Sequence, residues 1–447
     1  MKHKTVDLTK GNEMKSLVLF TLPLIGGNLF QQLYNLVDTV IVGKYIGSDA
    51  LAAVGSSYMT MSFLTSVIIG LCMGSGVVFS LFYGAGKKKK LRQSFFLSFL
   101  FILVVTVILN AGSIFYIDQI LKILNINEQI FQMTKEYLLI IMAGMSFVFL
   151  YNYFAAVLRS MGDSMTPLKF LIGSSFTNIS LDYLFVVPYD MGVRGAALAT
   201  VLSQMISAAG ILLYSFYKVK EIRFSKEMLK GEKELFQMIV NQSLLTSIQQ
   251  SIMNFGILMI QGLVNSFGIT VMAGFAAAVK IESFAYMPVQ DFGNAFSTYA
   301  AQNKGAGKVE RIQRGTFHAV GLIFSCCAVI STCVVLFSRP LMQCFVQKTE
   351  VSVIEEGIHY LHVVAPFYCL IGWLFLLYGL YRGLCLPWMS IVLTIISLGT
   401  RVALAYGLTA FTKIGVTAIW WAIPTGWLLA DLTGFLYYHY LKRKKKI

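Results

Sequence analysis

SLFYGAGKKKKLRQ at residues 80–93 and AAQNKGAGKVERIQ at 300–313 share the tetrapeptide GAGK, and the two copies, at 84–87 and 305–308, lie 221 residues apart in a chain of 447. Two further pairs keep nearly that spacing. Arg159 answers Arg382, and the run Gly192-Val193-Arg194-Gly195-Ala196 answers Gly415-Val416-Thr417-Ala418-Ile419, both at an offset of 223. Three near-equal offsets, each close to half the chain, read as an internal duplication. Parallel repeats related by an axis along the membrane normal are a transporter architecture, with the substrate site expected between the halves.

Composition puts those repeats in a bilayer. The chain is 57% hydrophobic and 13% charged, with mean hydropathy +0.70, too apolar for a water-soluble protein of its size. Apolar stretches of about 20 residues or more, enough to cross a hydrocarbon core of roughly 30 Å, recur along its whole length. Twelve are expected, near 16–42, 52–82, 94–117, 136–160, 166–188, 193–217, 235–265, 271–300, 315–338, 354–381, 388–411 and 416–441. Lipid offers the backbone no partners and the segments lack the alternation of barrel strands, so the fold class is an all-α polytopic membrane protein. Its twelve helices divide into two pseudo-symmetric six-helix bundles: an N-lobe at 1–217, a cytoplasmic linker at 218–234 and a C-lobe at 235–447.

The net charge of +15 does not point to nucleic acid, because of where it lies. With the N-terminus inside, 27 of the 36 Lys and Arg fall in cytoplasmic segments and 7 in outer loops, leaving Lys280 and Arg401 within spans. That is the positive-inside bias, and it predicts both termini in the cytoplasm. KKKK at 87–90 and KRKKK at 442–446 read as topology signals. The polar start MKHKTVDLTKGNEMK gives no cleavable signal peptide. Seven Cys offer neither a CxxC pair nor a disulfide framework, and the five His have no metal-binding spacing.

Against this background a few polar side chains stand out. Asp38 sits deep in the first span, Asn178 and Asp182 lie one helical turn apart in the fifth, and Thr200 is in the sixth. An intramembrane carboxylate is costly and is a functional hypothesis by default. A carbonyl, a hydroxyl and two carboxylates are hard oxygen ligands suited to a small hard cation, while a proton needs only a carboxylate; both readings are open. The repeat supplies a control. At offset 223 Asn178, Asp182 and Thr200 become Arg401, Ala405 and Ile423, and Asp38 aligns with Gly256 or Met259 depending on register. The task is therefore expected in the first half only. Pro23, about four turns before Asp38, removes a backbone donor and is a candidate hinge. In the eighth span Lys280 and Glu282 point about 200° apart and are candidates to line a cavity, whereas Asp291 and Arg401 read as structural.

From LPLIGGNLFQQLYNLVDTVIVGKYIGSDALAAVG (22–55) through LRSMGDSMTPLK (158–169) and AAQNKGAGKVERI to GVTAIWWA (415–422), the chain resembles the multidrug and toxic compound extrusion (MATE) transporters, particularly bacterial and archaeal members. The resemblance implies two six-helix lobes around a V-shaped cavity and alternating-access export of drugs or metabolites against inward flow of Na⁺ or H⁺. Members with an N-lobe cation site use a first-helix Asp, a fifth-helix Asn-x-x-x-Asp pair and a sixth-helix Thr, which match Asp38, Asn178, Asp182 and Thr200; a first-helix proline matches Pro23. Tyr34 is a neighbour by position, as is Asn152 in the fourth span. Members with a working acid in the seventh helix are not matched, since that span has none.

The expectation is thus an antiporter, not an enzyme, acting as a monomer in a bacterial or archaeal plasma membrane. It needs no cofactor beyond Na⁺ or H⁺ as coupling ion, and its substrate is expected to be a small organic molecule of the lipophilic-cation class. A flippase for a lipid-linked envelope precursor would want more cationic residues within the spans. A prenyl-transfer enzyme would want a second acidic cluster.

Overall fold

A computed structural model describes residues 5–223, 228, 232–411 and 415–444. In the first half the helices are α1 Glu13–Tyr45, α2 Ser48–Gly84, α3 Lys88–Phe115, α4 Ile117–Ile123, α5 Glu128–Ala143, α6 Met145–Ser160, α7 Met165–Val186 and α8 Gly192–Lys218. In the second they are α9 Lys233–Asn265, α10 Ile269–Gly305, α11 Val309–Leu336, α12 Ser338–Gln343, α13 Val351–Val364, α14 Tyr368–Gly383, α15 Pro387–Phe411 and α16 Thr417–Arg443. Among the described residues nine helices are long and apolar enough to cross a bilayer, and α5 with α6 makes a tenth. Helices α7 and α16, of 22 and 27 residues, complete the twelve. Ser174, Ser175, Thr177, Asn178, Ser180 and Asp182 dilute the hydropathy of α7. Residues 224–227 and 229–231 of the linker and Lys445 and Lys446 of the basic tail lie outside the described residues.

The duplication is visible in helix lengths and in the turns. Helices α2 and α10 are both 37 residues long, and α3 and α11 both 28. The GAGK turn that follows α2 and α10 places Gly86 at φ 67° and Gly307 at φ 69°. Only glycine occupies that left-handed region without strain, so the motif persists in both copies because it ends one span and starts the next within three residues.

Two spans differ from the sequence expectation. The fourth, expected as one segment at 136–160, is the pair α5 and α6, bent by 42°. The break falls at Gly144, where an added Cβ would lie 2.7 Å from Val201 of α8, so the backbone passes where no side chain fits. The tenth is α13 and α14 joined by the 3-10 turn Ala365–Phe367, at Pro366, which lacks the amide hydrogen the helix would need.

The chain divides into two compact units, Leu19–Ser247 with Met1–Asp7, and Ile248–Ile447 with Leu8–Val18. In the first, Gly70 and Gly74 of α2 lie against Ser247 and the Gln242–Ser243 backbone of α9, with Ser75 Oγ 2.8 Å from Ser243 Oγ. This small-xxx-small seam lets two backbones meet where apolar collapse gives no driving force between helices. The second unit uses the same device: Gly293 of α10 and Gly379 of α14 pack backbone to backbone. There too Arg311 of α11 donates to the carbonyls of Lys10 and Gly11 and pairs with Glu13 at 3.3 Å, fixing the start of α1.

Candidate functional site

Within the first unit, α1, α5, α7 and α8 bring the singled-out polar residues together. Asn178 and Asp182, on the same face of α7, are 1% and 0% exposed. Thr200 of α8 donates its hydroxyl hydrogen to the carbonyl of Ala196 at 3.1 Å, so its lone pairs are free to accept the Asn178 amide, Nδ2 to Oγ1 3.4 Å. That bond fixes which way the Asn178 side chain points and leaves its carbonyl oxygen facing the cluster without a donor. Asp38 of α1 lies close enough to Asp182 for the two carboxyl groups to share a hydrogen bond when one of them carries a proton.

The inventory of unmet hydrogen bonds defines the chemistry. Asp38 Oδ1, Asn178 Oδ1 and both oxygens of Asp182 are buried and have no hydrogen-bond partner among the described residues. All four are acceptors. Buried polar groups are nearly always paired, and two carboxylates in one apolar enclosure repel each other, so the cluster calls for a positive guest, a proton or a hard cation. No basic side chain among the described residues pairs with either acid; the ion pairs of this unit, such as Lys135 with Asp118 and Arg194 with Glu136, lie elsewhere.

Tyr34, one turn before Asp38, is bonded to Gln31 and sits in electrostatic contact with Asp38, Asp182 and Tyr151. Asn152 donates to Val148 of its own helix at 2.9 Å rather than to the cluster. Pro23 is buried inside an α1 that runs through it as one helix. Sequence reasoning missed Tyr137 of α5, which is 4% exposed and within electrostatic range of Asp38, Asp182 and Tyr34. Nothing in EYLLIIMA distinguishes it from the other 21 of the chain's 22 tyrosines.

The second unit is built differently at the equivalent places. Ala405 and Ile423, matching Asp182 and Thr200, are fully buried and apolar. Arg401, matching Asn178, lies within electrostatic range of Glu282, which accepts the Tyr360 hydroxyl at 2.6 Å. Glu282 is thus turned into the bundle and satisfied, while Lys280 is exposed and borders a recess with Ala273, Ala276 and Glu350. Asp291 is buried at 3% exposure.

Twelve spans in two matched halves, with a buried set of acceptors open to a positive guest, define a polytopic membrane transporter. The MatE family profile matches residues 23–184 and 243–407. The chain belongs to the MatE family. It is 32% identical to the probable multidrug resistance protein YpnP of Bacillus subtilis over 98% of this chain and 97% of that protein. It is 28% identical to the probable multidrug resistance protein NorM of Thermotoga maritima over 91% and 88% of the two chains. The fold matches a structure described as an outward-facing multidrug resistance MATE family transporter, with TM-score 0.92, 23% identity and coverage of 98% and 97%.

Proposed function

We propose that the protein is a secondary antiporter that exports small organic compounds, lipophilic cations above all, in exchange for Na⁺ or H⁺ bound at Asp38, Asn178, Asp182 and Thr200. The observation that carries this reading is the set of four buried acceptor oxygens with no donor. A guest that neutralises Asp38 and Asp182 lowers the energy of the closed cluster by several kcal/mol, so its arrival and departure bias two conformations of α1 against α7. The relatives' names as multidrug resistance proteins support the cargo class. Both termini are placed on the cytoplasmic side by the positive-inside bias, in the cytoplasmic membrane of a prokaryote, with the monomer as the working unit.

The test is dye efflux from proteoliposomes under an imposed Na⁺ gradient and, separately, an imposed pH gradient. One gradient should drive uphill movement and the other should not. If neither does, the antiport reading fails.

A further inference from the structure

The second unit buries an acid of its own. Asp431 of α16 is 3% exposed, and neither carboxylate oxygen has a hydrogen-bond partner among the described residues. It lies on the stripe that α16 turns into its bundle, one turn from Trp427 and from Gly434. From α14 the groups within electrostatic range of it are Cys369 and Tyr378, and the Tyr378 hydroxyl is already bonded to Thr394 of α15. Arg401 of α15 approaches α16 at Gly426, five residues away, and makes no ion pair with Asp431 among the described residues. From α13, His359 reaches α16 only at Thr417, about four turns off.

The internal repeat shows that the fold does not need this carboxyl. At offset 223 Asp431 becomes Ala208 of α8, also fully buried, so the same packing position is filled elsewhere by a methyl group. The asymmetry is the reverse of that at Asp38 and Asp182. An ionised, unpartnered carboxylate in such surroundings costs several kcal/mol, so the group requires a neutralising guest. A hard metal ion needs a shell of oxygen ligands, and here the near donors are one thiol and one phenol already in use. Among the described residues no group of three His, Cys, Asp or Glu could hold a metal. A proton needs no shell.

We propose that Asp431 is a second proton-binding site, confined to the C-terminal unit and separate from the Asp38–Asp182 cluster, and that its proton is exchanged with water during turnover. Only the second clause rests on the transport reading.

The experiment uses the full chain reconstituted in lipid, in the Asp38→Asn/Asp182→Asn background, with and without Asp431→Ala, the residue that the repeat itself carries. Among the carboxyl bands of infrared difference spectra between acidic and alkaline buffer, one protonated-carboxyl component should be lost in Asp431→Ala, while melting temperature is not lowered. Superimposable spectra overturn the site, whatever the transport assay gives. If Asp431→Ala fails to fold, Asp431→Asn provides the same subtraction at constant volume. In the otherwise wild-type chain, the pH profile of ethidium efflux should shift with Asp431→Ala; an unchanged profile overturns the exchange while leaving the antiport reading intact.

Discussion

Replacing Asp182 with Asn should make the protein more stable while uncoupling it. Asp182 is fully buried, and both of its oxygens lack partners beside the acceptors Asp38 Oδ1 and Asn178 Oδ1. Removing its charge relieves an insertion-scale cost of about 2.5–3.5 kcal/mol. The new amide can also donate to Asp38, and a hydrogen bond to a charged group is worth about 1.5–3 kcal/mol. Rearrangement consumes part of that sum, and about 3 kcal/mol of net stabilisation is expected. At about 2 °C per kcal/mol, the low end of the range because the chain is long, Asp182→Asn should melt about 6 °C above wild type. The comparison is a thermal melt in lipid nanodiscs without the coupling ion, at alkaline pH so that protons do not mask the charge. Adding the coupling ion at 100 times its dissociation constant returns about 2.7 kcal/mol to wild type and nothing to the variant, so the gap should nearly close. A variant that melts below wild type without the ion would refute the reasoning, because Asp182 would then be a satisfied structural contact. A gap indifferent to both Na⁺ and pH would refute it equally.

The remaining predictions probe the asymmetry, the hinge and the seam. Ala405→Ser and Ile423→Val, at the repeat positions of Asp182 and Thr200, should retain most export in the dye assay, with a severe coupling defect at normal expression counting against a one-unit site. Pro23→Ala restores a backbone donor in α1 and should slow turnover while leaving ion affinity at Asp38 little changed, measured as flux kinetics beside direct ion binding. Gly74→Ala would put a Cβ 2.3 Å from the Gln242 carbonyl oxygen, backbone against backbone, and should cost about 1–3 kcal/mol or prevent folding, whereas Gly55→Ala, with nothing within 4 Å, should be neutral or slightly stabilising in the same melt.

The sequence made the scaffold legible because lipid permits few solutions. Apolar runs had to be helices, and GAGK recurs because Gly86 and Gly307 both occupy a backbone region that residues with a side chain rarely adopt. The break at Gly144 was hidden, since a glycine within an apolar run is tolerated without any break and the close approach of Val201 appears only in the folded chain. Asp38, Asn178, Asp182 and Thr200 could be singled out because charge in lipid is expensive wherever it faces. Their orientation was not readable: whether Glu282 was satisfied depended on Tyr360, 78 residues away, and Tyr137 became part of the cluster only through its position on α5. Asp431 escaped notice for the converse reason. A single acid in an apolar run looks structural until its partners are counted and none is found.

The central claim is that Asp38 and Asp182 together hold the ion whose gradient drives export, and coupled flux in proteoliposomes tests it most directly. Wild type should accumulate or expel ethidium against its gradient under the effective ion gradient, whereas Asp38→Asn, folded and correctly inserted, should only equilibrate the dye. Uphill transport by Asp38→Asn and Asp182→Asn at the wild-type rate would contradict the account.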